Sequence, residues 1–418
     1  MKIEAIYQLY SKEFLVDTDT RNIRKNTIFF ALKGDNFNGN TFAEQALKLG
    51  AKCAIVDEKE YCVHKNSILV DNVLETLQKL ASYHRRQLKL PIIGLTGSNG
   101  KTTTKELINT VLVTKYKTVA TKGNLNNHIG VPLTLLSMTP NTEIGIVEMG
   151  ANHQKEIDFL CSICAPDFGY ITNFGKAHLE GFGGIEGVIE GKSELYNYLE
   201  TNHKIAFVNT NDAIQVEKTK NIQSICFDTD NLQFVEVNPF VKLSYKDTLI
   251  QSNLIGKYNY TNIAAAISIG EYFNINISDI KTAIENYVPK NNRSQIITTK
   301  ENEIILDAYN ANPSSMKAAL ENFASIHKKS KTIILGDMFE LGETSIKEHQ
   351  EIIDLANSMD FENRFFIGQL FYKTVNSNAF KTFEDFKNYI KKHPLKNASI
   401  LIKGSRGMQL ERLLDFIN

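Results

Sequence analysis

One segment constrains this chain more than any other: Gly94-Leu-Thr-Gly-Ser-Asn-Gly-Lys-Thr-Thr-Thr-Lys-Glu106, directly after the apolar run Leu90-Pro-Ile-Ile93. The apolar run predicts a strand, and residues 103–112 carry a helical pattern. A glycine-rich turn between a strand and a helix directs backbone N–H groups and the positive end of the helix dipole to one point. The segment therefore predicts an anion site of the kind that holds nucleotide phosphates.

The residue types in this turn indicate ATP bound with Mg²⁺. Glycines let a phosphate approach the backbone, while Lys101 can reach the terminal phosphates and the Thr102 hydroxyl can ligate Mg²⁺. The predicted nucleotide-binding residues are contiguous: Gly97, Ser98, Asn99, Gly100, Lys101, Thr102 and Thr103. The general P-loop pattern is incomplete, because Leu95 stands where that pattern has a glycine. The alternative is an ordinary glycine-rich turn before a helix.

The length of 418 residues predicts two or three domains, because one core rarely grows past ~250–300 residues. Lysine plus arginine equals aspartate plus glutamate at 47 each, so we expect no general attraction to nucleic acid or to an anionic membrane. The segment Met1-Lys-Ile-Glu-Ala-Ile6 lacks the pattern of a secretion signal, and no run approaches the ~20 apolar residues of a membrane span. We therefore expect a cytoplasmic protein without membrane insertion.

Strand and helix patterns alternate along the chain and predict an α/β fold with three domains, at residues 1–88, 89–290 and 291–418. The first is a small α/β domain, the central one a parallel P-loop sheet with helices on both faces, and the third a Rossmann-like α/β domain. The predicted strands lie at 27–32, 53–56, 92–95, 144–148, 168–172, 205–209, 303–306, 332–335, 364–367 and 399–402. We also expect a β-rich insertion at 222–254 and a last helix at 410–417. Ligands of such sheets bind at the carboxyl ends of the strands.

Three polar residues follow predicted strands or lie on a predicted helix of the central domain. Glu148 ends a buried strand, where a carboxylate is costly unless it is paired or binds a metal. Taken alone, His178 is more typical of a structural loop histidine, and Lys192 of a solvated helix lysine. A lone C-x-x-C, Cys161 and Cys164, has no second ligand pair, so we expect buried small residues rather than zinc or redox chemistry.

These positions gain meaning from a resemblance that spans nearly the whole chain. The order of the phosphate loop, Glu148-Met-Gly and Asn173-Phe-Gly-Lys-Ala-His178 resembles that in the ATP-dependent Mur ligases. Further segments resemble the branch of that family that adds a dipeptide: Thr20-Arg21, Phe29-Phe-Ala-Leu-Lys-Gly34, Gly123-Asn-Leu-Asn-Asn127, Asp307-Ala-Tyr-Asn-Ala-Asn-Pro313, Leu335-Gly-Asp-Met-Phe-Glu-Leu-Gly-Glu343 and Lys403-Gly-Ser-Arg-Gly-Met408. This chain has Phe37-Asn-Gly-Asn40 where the relatives typically show Asp-Gly-His.

The resemblance implies an ATP- and Mg²⁺-dependent ligase that adds D-alanyl-D-alanine to a UDP-N-acetylmuramoyl-tripeptide. The γ-phosphate of ATP would move to the terminal carboxylate of the tripeptide, and the dipeptide amine would then displace phosphate. The first domain would bind the UDP end, the second ATP and the third the dipeptide. The partners are small molecules, and a monomer is expected.

The resemblance also assigns roles residue by residue. It implies that Lys101, His178 and Lys192 are catalytic, the last as a carbamate, since a neutral buried amine can take up CO₂. It implies metal ligation by Thr102, Glu148, His178 and carbamylated Lys192. It implies contacts of Asn262 with adenine, Arg293 with phosphates and Asp307 with ribose. The implied substrate-binding residues are Thr20, Arg21, Lys33, Asn126, Asn127, Asn310, Asn312, Lys403 and Arg406.

Two alternatives remain open at this point. One is a related ligase that adds a single amino acid, either another Mur enzyme or a folylpolyglutamate synthase. The other is a P-loop kinase or a non-catalytic nucleotide sensor, which would bind or turn over ATP without forming an amide. For several residues structural roles compete: Asn262 as an exposed helix residue, Asn310 and Asn312 as parts of an Asn-Pro turn, Lys403 and Arg406 as solvated loop charges.

Overall fold

The structure is a computed structural model that describes residues 2–227, 231–290, 292–328, 330–374 and 379–417. The helices are α1 (Ile3–Tyr10), α2 (Ala43–Lys48), α3 (Val73–Gln87), α4 (Lys101–Leu112), α5 (Gly130–Leu135), α6 (Glu156–Cys164), α7 (Leu179–Phe182), α8 (Ile185–Thr201), α9 (Ala213–Lys218), α10 (Tyr258–Tyr272), α11 (Ile277–Asn286), α12 (Pro313–Ser325), α13 (Ser345–Asn357), α14 (Gln369–Thr374) and α15 (Phe383–Lys392). Among these described residues, no helix is both long and apolar enough to cross a membrane.

The strands form three main sheets and two small antiparallel ones. They are β1 (Val16–Asp17), β2 (Ile28–Phe30), β3 (Lys33–Gly34), β4 (Phe37–Asn38), β5 (Cys53–Val56), β6 (Ser67–Leu69), β7 (Ile92–Thr96), β8 (Thr118–Ala120), β9 (Ile144–Glu148), β10 (Phe168–Ile171), β11 (Ile205–Asn209), β12 (Gln223–Phe227), β13 (Leu232–Val237), β14 (Phe240–Tyr245), β15 (Thr248–Ile255), β16 (Gln295–Thr298), β17 (Glu303–Asp307), β18 (Lys331–Gly336), β19 (Asn363–Ile367), β20 (Ala379–Phe380) and β21 (Ser399–Lys403). Each main sheet lies within one predicted domain span. The predicted domain boundaries themselves remain predictions.

The central sheet is parallel throughout and has the strand order β12-β11-β10-β7-β9-β8. Its strands are apolar because both faces are covered. Ile93 and Leu95 belong to a core that contains α4, α10 and α11, whereas Ile92 belongs to a core that contains α5, α6 and α8. The predicted α/β class and the central sheet with helices on both faces are confirmed.

The strand order places β7 between β10 and β9. After β7 the chain adds β8 and β9 on one side of β7, and it then adds β10, β11 and β12 on the other side. Ligands bind where such a sheet reverses its order, at the carboxyl ends of the strands. Leu95 pairs with Glu148, and Thr96 pairs with Ile171. The segments that follow these three strands therefore meet at one edge.

The β-rich insertion predicted at 222–254 is wrong in one part. β12 does not belong to a separate β unit, because it pairs in parallel with β11 as the edge strand of the central sheet. Only β13, β14 and β15 form an antiparallel sheet of their own.

The first and third domains have their own sheets, ordered β1-β2-β5-β6 and β16-β17-β21-β18-β19-β20. In the third, only β16 pairs antiparallel. The helix predicted at 410–417 is a 3₁₀ helix, Leu410–Asp415, which begins after Gln409 in the left-handed conformation (φ 50°). Apolar residues spaced three and four apart fit a short 3₁₀ helix as well as an α-helix, so the sequence pattern does not separate the two.

Arg85 fastens the first domain to the central sheet. It lies near the end of α3, which packs on α5 and α6. Its guanidinium donates to the carbonyls of Cys164 (3.0 Å), Ala165 (2.9 Å) and Leu90 (3.2 Å). It also contacts the Asp167 carboxylate at 2.7 Å, at the start of β10. The side chain is 10% exposed, so these acceptors have little access to water.

We predict that Arg85→Met destabilises the protein by about 3 kcal/mol, because it leaves the carbonyls of Cys164, Ala165 and Leu90 without this donor and removes one of the two cations that pair with Asp167. The measurement is the free energy of unfolding in urea, followed by circular dichroism. Arg86→Met is the matched control, since Arg86 is exposed, donates to the Ser82 hydroxyl at 2.9 Å and lies 5.8 Å from the centre of the Tyr83 ring, all within its own helix. Equal stability of the two variants would contradict the role assigned to Arg85.

Candidate active site

The phosphate loop runs from Gly97 to Gly100, between β7 and α4, as the sequence predicts. Both glycines have positive φ angles, 141° and 78°. A Cβ at Gly97 would lie 2.0 Å from the Thr172 Oγ1, and a Cβ at Gly100 would lie 2.7 Å from the Asn262 Oδ1. The backbone thus passes so close to its neighbours that a side chain does not fit at either position.

The segment after β10 holds the phosphate loop through hydrogen bonds to Ser98 and Asn99. The Thr172 hydroxyl donates to the Asn99 carbonyl at 2.6 Å. The Asn173 amide receives the Asn99 N–H at 3.1 Å and donates back to the Asn99 carbonyl at 3.0 Å. The Ser98 hydroxyl donates to the Gly175 carbonyl at 2.7 Å. These hydrogen bonds fix the conformation of the turn.

Lys101 is the first residue of α4, and its ammonium folds back over the loop. It donates to the carbonyls of Gly97 (2.6 Å) and Ser98 (3.3 Å). Burial lowers the pKa of Lys101 to about 8, Arg293 acts in the same direction, and Glu148 opposes them. The ammonium is therefore still cationic at neutral pH and is available to an anion at the loop.

Glu148, at the end of β9, is a buried carboxylate that is only 1% exposed. Its Oε1 accepts from the Thr102 hydroxyl (3.2 Å) and from the Asn126 amide (2.8 Å). Its Oε2 is buried and has no hydrogen-bond partner among the described residues. A buried carboxylate oxygen in this state is costly, and a cation would satisfy it.

The donor set fits Mg²⁺. Within the described part of the chain no three His, Cys, Asp or Glu side chains are grouped as metal ligands. Mg²⁺ is typically held by one or two carboxylates together with water and substrate phosphates. Glu148 and the Thr102 hydroxyl, beside a phosphate loop, supply that kind of site.

Lys192 lies on α8 and is 1% exposed, so the predicted alternative of a solvated helix lysine is wrong. Its Nζ donates to the Ala151 carbonyl at 3.0 Å and lies 4.8 Å from the centre of the Phe182 ring. Burial lowers the pKa of Lys192 well below its usual value, and the charge of Lys101 acts in the same direction. The amine is therefore readily neutral, which carbamylation requires.

Asn262 lies on α10 and is 5% exposed, so it is not an exposed helix residue. It accepts from the Thr104 hydroxyl at 3.0 Å and donates to the Asn259 Oδ1 at 2.8 Å. These bonds fix the amide against the phosphate loop at Gly100.

The third domain contributes a charged group at the end of β17 and β21. Lys403 is 2% exposed and bonds the Asp307 carboxylate at 2.6 Å. Lys403 is therefore not a solvated loop charge. The other oxygen of Asp307 accepts from the Ser294 N–H at 3.1 Å. The Arg293 guanidinium lies 3.8 Å from the centre of the Tyr309 ring, and its buried Nε has no partner among the described residues.

Asn312 has two separate contacts. Its Oδ1 accepts from the Ser315 N–H at 2.9 Å and caps α12, whereas its Nδ2 donates to the Asn99 Oδ1 of the phosphate loop at 2.8 Å. Asn310 accepts from the N–H of Ala311 at 2.9 Å, as in a local turn. The third domain thus reaches the phosphate loop directly.

A single cavity of about 1180 Å³ brings most of the predicted residues together. The predicted residues that line it are Ser98, Asn99, Gly100, Lys101, Thr102, Thr103, Asn126, Asn127, Glu148, His178, Asn262, Arg293, Asp307, Asn310, Asn312 and Lys403. Gly97 and Lys192 do not line the cavity, but each contacts a residue that does: Gly97 accepts from Lys101, and Lys192 donates to Ala151.

Four predicted substrate-binding residues do not line this cavity. Arg21 is exposed and pairs with Asp19 at 2.5 Å, beside Thr20 in a 3₁₀ turn. Lys33 pairs with Asp57 (2.9 Å) and Glu58 (2.8 Å). Arg406 is exposed and pairs with Glu411 at 3.3 Å. Their predicted roles remain predictions.

Sequence reasoning missed two contributors. Tyr309 lies between the predicted Asp307 and Asn310 and lines the cavity; an aromatic residue inside that motif was the available signal. Glu340 contacts His178 from the third domain, and only its place in the segment 335–343 pointed to it. Cys161 and Cys164 are buried as expected, and burial raises the pKa of both thiols.

Three family models match the chain: the Mur ligase family, catalytic domain at residues 15–85, the Mur ligase middle domain at 95–270, and the Mur ligase, glutamate ligase domain at 292–406. The UDP-N-acetylmuramoyl-tripeptide–D-alanyl-D-alanine ligase of Bacillus subtilis is 36% identical, over 96% of this chain and 92% of the relative.

Solved structures agree with this similarity. A crystal structure of MurF from Acinetobacter baumannii is 30% identical with a TM-score of 0.86, covering 96% of this chain and 92% of that one. MurF ligase from Thermotoga maritima in complex with ADP is 26% identical with a TM-score of 0.82, covering 96% of each chain. The buried carboxylate beside a phosphate loop and these full-length similarities lead to one conclusion: this chain belongs to the Mur ligase family.

Proposed function

We propose that this chain is an ATP-dependent ligase that joins D-alanyl-D-alanine to a UDP-N-acetylmuramoyl-tripeptide in the synthesis of peptidoglycan precursors. The observation that carries the proposal is the cavity itself. In it the phosphate loop, the buried Glu148 and the third-domain residues Asp307 and Asn312 face one space of about 1180 Å³. That volume is sufficient for a nucleotide and the reacting ends of two further substrates.

The chemistry requires anionic groups to be held together while their charge is neutralised. The phosphate loop and Lys101 would hold the ATP phosphates, so that the γ-phosphoryl group faces the tripeptide carboxylate. The carboxylate oxygen bonds the phosphorus as ADP leaves, and the dipeptide amine then forms the amide as phosphate leaves. Mg²⁺, held by Thr102 and Glu148, would neutralise phosphate charge.

The remaining predicted residues complete the proposal. Asn262, Arg293 and Asp307 would hold the nucleotide, and His178 would belong to a second metal site. Thr20, Arg21 and Lys33 would meet the UDP end in the first domain (1–88), outside the large cavity. The central domain (89–290) would bind ATP and the third (291–418) the dipeptide. We further propose that the protein acts in the cytoplasm as a monomer.

One assay tests the function. The protein is incubated with ATP, MgCl₂, the UDP-linked tripeptide and D-alanyl-D-alanine, and the product is weighed by mass spectrometry. We expect a tripeptide extended by the dipeptide, together with ADP and phosphate, and no product when EDTA replaces MgCl₂. ATP turnover without an amide would indicate a kinase or a nucleotide sensor. Faster turnover with a single amino acid than with the dipeptide would indicate another ligase of the superfamily.

We predict that Lys101→Ala lowers the kcat for ligation by at least about 100-fold, because it removes the cation that faces charge developing on the transferred phosphoryl group. The fold should persist, because the loop is held by residues 172–175 as well. Lys117→Ala is the control, since that lysine is exposed on the surface of the same domain. Near-normal amide synthesis by the Lys101→Ala protein would refute the assignment of the phosphate loop.

We predict that Lys192 carries a carbamate. Protein equilibrated with ¹³C-bicarbonate should show a carbamate carbon signal in NMR, which Lys192→Arg abolishes. Lys105→Arg is the matched control, because burial also lowers the pKa of Lys105, and its Nζ donates to the Thr121 carbonyl at 2.7 Å. A signal that survives in Lys192→Arg would assign the carbamate elsewhere or to no lysine of this site.

A further inference from the structure

The segment Leu335-Gly-Asp-Met-Phe-Glu-Leu-Gly-Glu343 follows β18 of the third domain and returns toward the central domain. Asp337, near its start, is 2% exposed and accepts from the N–H groups of Leu370 (3.0 Å) and Phe371 (2.9 Å) at the start of α14. This end of the segment is therefore structural. Glu340, further along the segment, instead contacts the central domain.

Glu340 contacts His178 across the two domains. Its Oε2 lies within hydrogen-bond distance of the His178 Nδ1, and its backbone carbonyl accepts from the Glu180 N–H at 3.3 Å. This contact holds the pKa of Glu340 below its usual range. Because Nδ1 is engaged, Nε2 is the ring nitrogen left for another partner, and among the described residues it has none.

The backbone at both residues is unusual. His178 has a φ of 53° and Glu340 a φ of 62°, so both lie in the left-handed region that residues with a Cβ rarely adopt. Such conformations are unfavourable for residues with a Cβ and persist where the surroundings require them. Here the two strained residues face each other, which indicates that their contact is a constrained feature and not a chance meeting of surface side chains.

Two further contacts, both made by Lys176, join the segment of His178 to other parts of the third domain. The Lys176 ammonium bonds the Glu348 carboxylate on α13 at 2.7 Å, and the Lys176 N–H donates to the Ser314 Oγ on α12 at 2.9 Å. The Glu348 side chain is only 6% exposed, so it depends on this cation from the central domain. Residues 176–180 are thus docked on the third domain at several points around His178.

We propose that Glu340 is a positioning residue, which orients His178 through Nδ1 so that Nε2 faces the cavity as a ligand for a divalent cation. Carboxylates that hold the second nitrogen of a metal-binding histidine fix its tautomer and orientation. Because Glu340 comes from the third domain, the histidine gains this orientation only when the two domains are in contact. The inference rests on the role given to His178 in the proposed function.

The test uses the full chain with a non-hydrolysable ATP analogue and Mn²⁺ in place of Mg²⁺. The dissociation constant of Mn²⁺ is measured by electron paramagnetic resonance for the wild type, Glu340→Ala, His178→Ala and the double variant. We expect Glu340→Ala to weaken Mn²⁺ binding by about 10-fold or more. The double variant should bind no more weakly than His178→Ala alone, because Glu340 acts through the histidine. Glu340→Gln, which retains an acceptor for the Nδ1–H, should lose less than Glu340→Ala.

Glu343→Ala is the matched control, since Glu343 is an exposed carboxylate of the same segment; it should bind Mn²⁺ as the wild type does. Wild-type affinity in Glu340→Ala, or a loss that adds in full to that of His178→Ala, would overturn the inference. Unchanged binding in His178→Ala would overturn it as well, while amide synthesis by the wild type would still support the proposed function. Absence of amide synthesis in the wild type would refute the function independently of the Mn²⁺ titration.

Discussion

The whole site depends on the parallel pairing of β7, β9 and β10. Because these strands run in the same direction, the segments that follow them meet at one edge although the chain separates them widely. The segment after β7 is the phosphate loop, that after β10 holds the loop, and β9 ends in Glu148. The same geometry buries that carboxylate with one oxygen unpartnered among the described residues. The fold maintains an unfavourable buried charge that a bound cation would compensate.

The third domain supplies the remaining wall of the cavity that lies at the edge of the central sheet. Asn312 bonds the phosphate loop, Lys403 and Asp307 pair at the cavity wall, and Lys176 of the central domain pairs with the buried Glu348. The Lys403–Asp307 pair lies within the third domain, whereas the contacts of Asn312 and Lys176 cross between the two domains. Polar contacts of this kind are weaker than an apolar core and can be broken and formed again. They are suited to a site that must admit substrates and release products.

Local pattern predicted most of the fold and the position of the phosphate loop between a strand and a helix. The strands that carry Glu148 and the phosphate loop are continuous apolar runs. Two glycines, the second directly before Lys-Thr at a helix start, are typical of a phosphate loop. β12 was misplaced because strand partners are set by distant chain segments, and a short strand has the same pattern in either sheet. Residues 410–415 have the pattern of a helix because apolar spacing does not distinguish a 3₁₀ turn from a short α-helix. The roles of Glu340 and Lys176 could not be predicted, since pairing between domains leaves no periodic pattern in either segment.

The two polar atoms of the Asn312 side chain form hydrogen bonds with two different parts of the structure. Its oxygen starts α12 and its nitrogen touches the phosphate loop, so the second bond can be lost without any cost to the first. If the third domain moved away from the phosphate loop, α12 would therefore keep the hydrogen bond that caps its first turn. If the third domain then moved back, the Asn312 amide would already be oriented toward the phosphate loop. Little side-chain entropy would therefore be lost when the bond to Asn99 forms again.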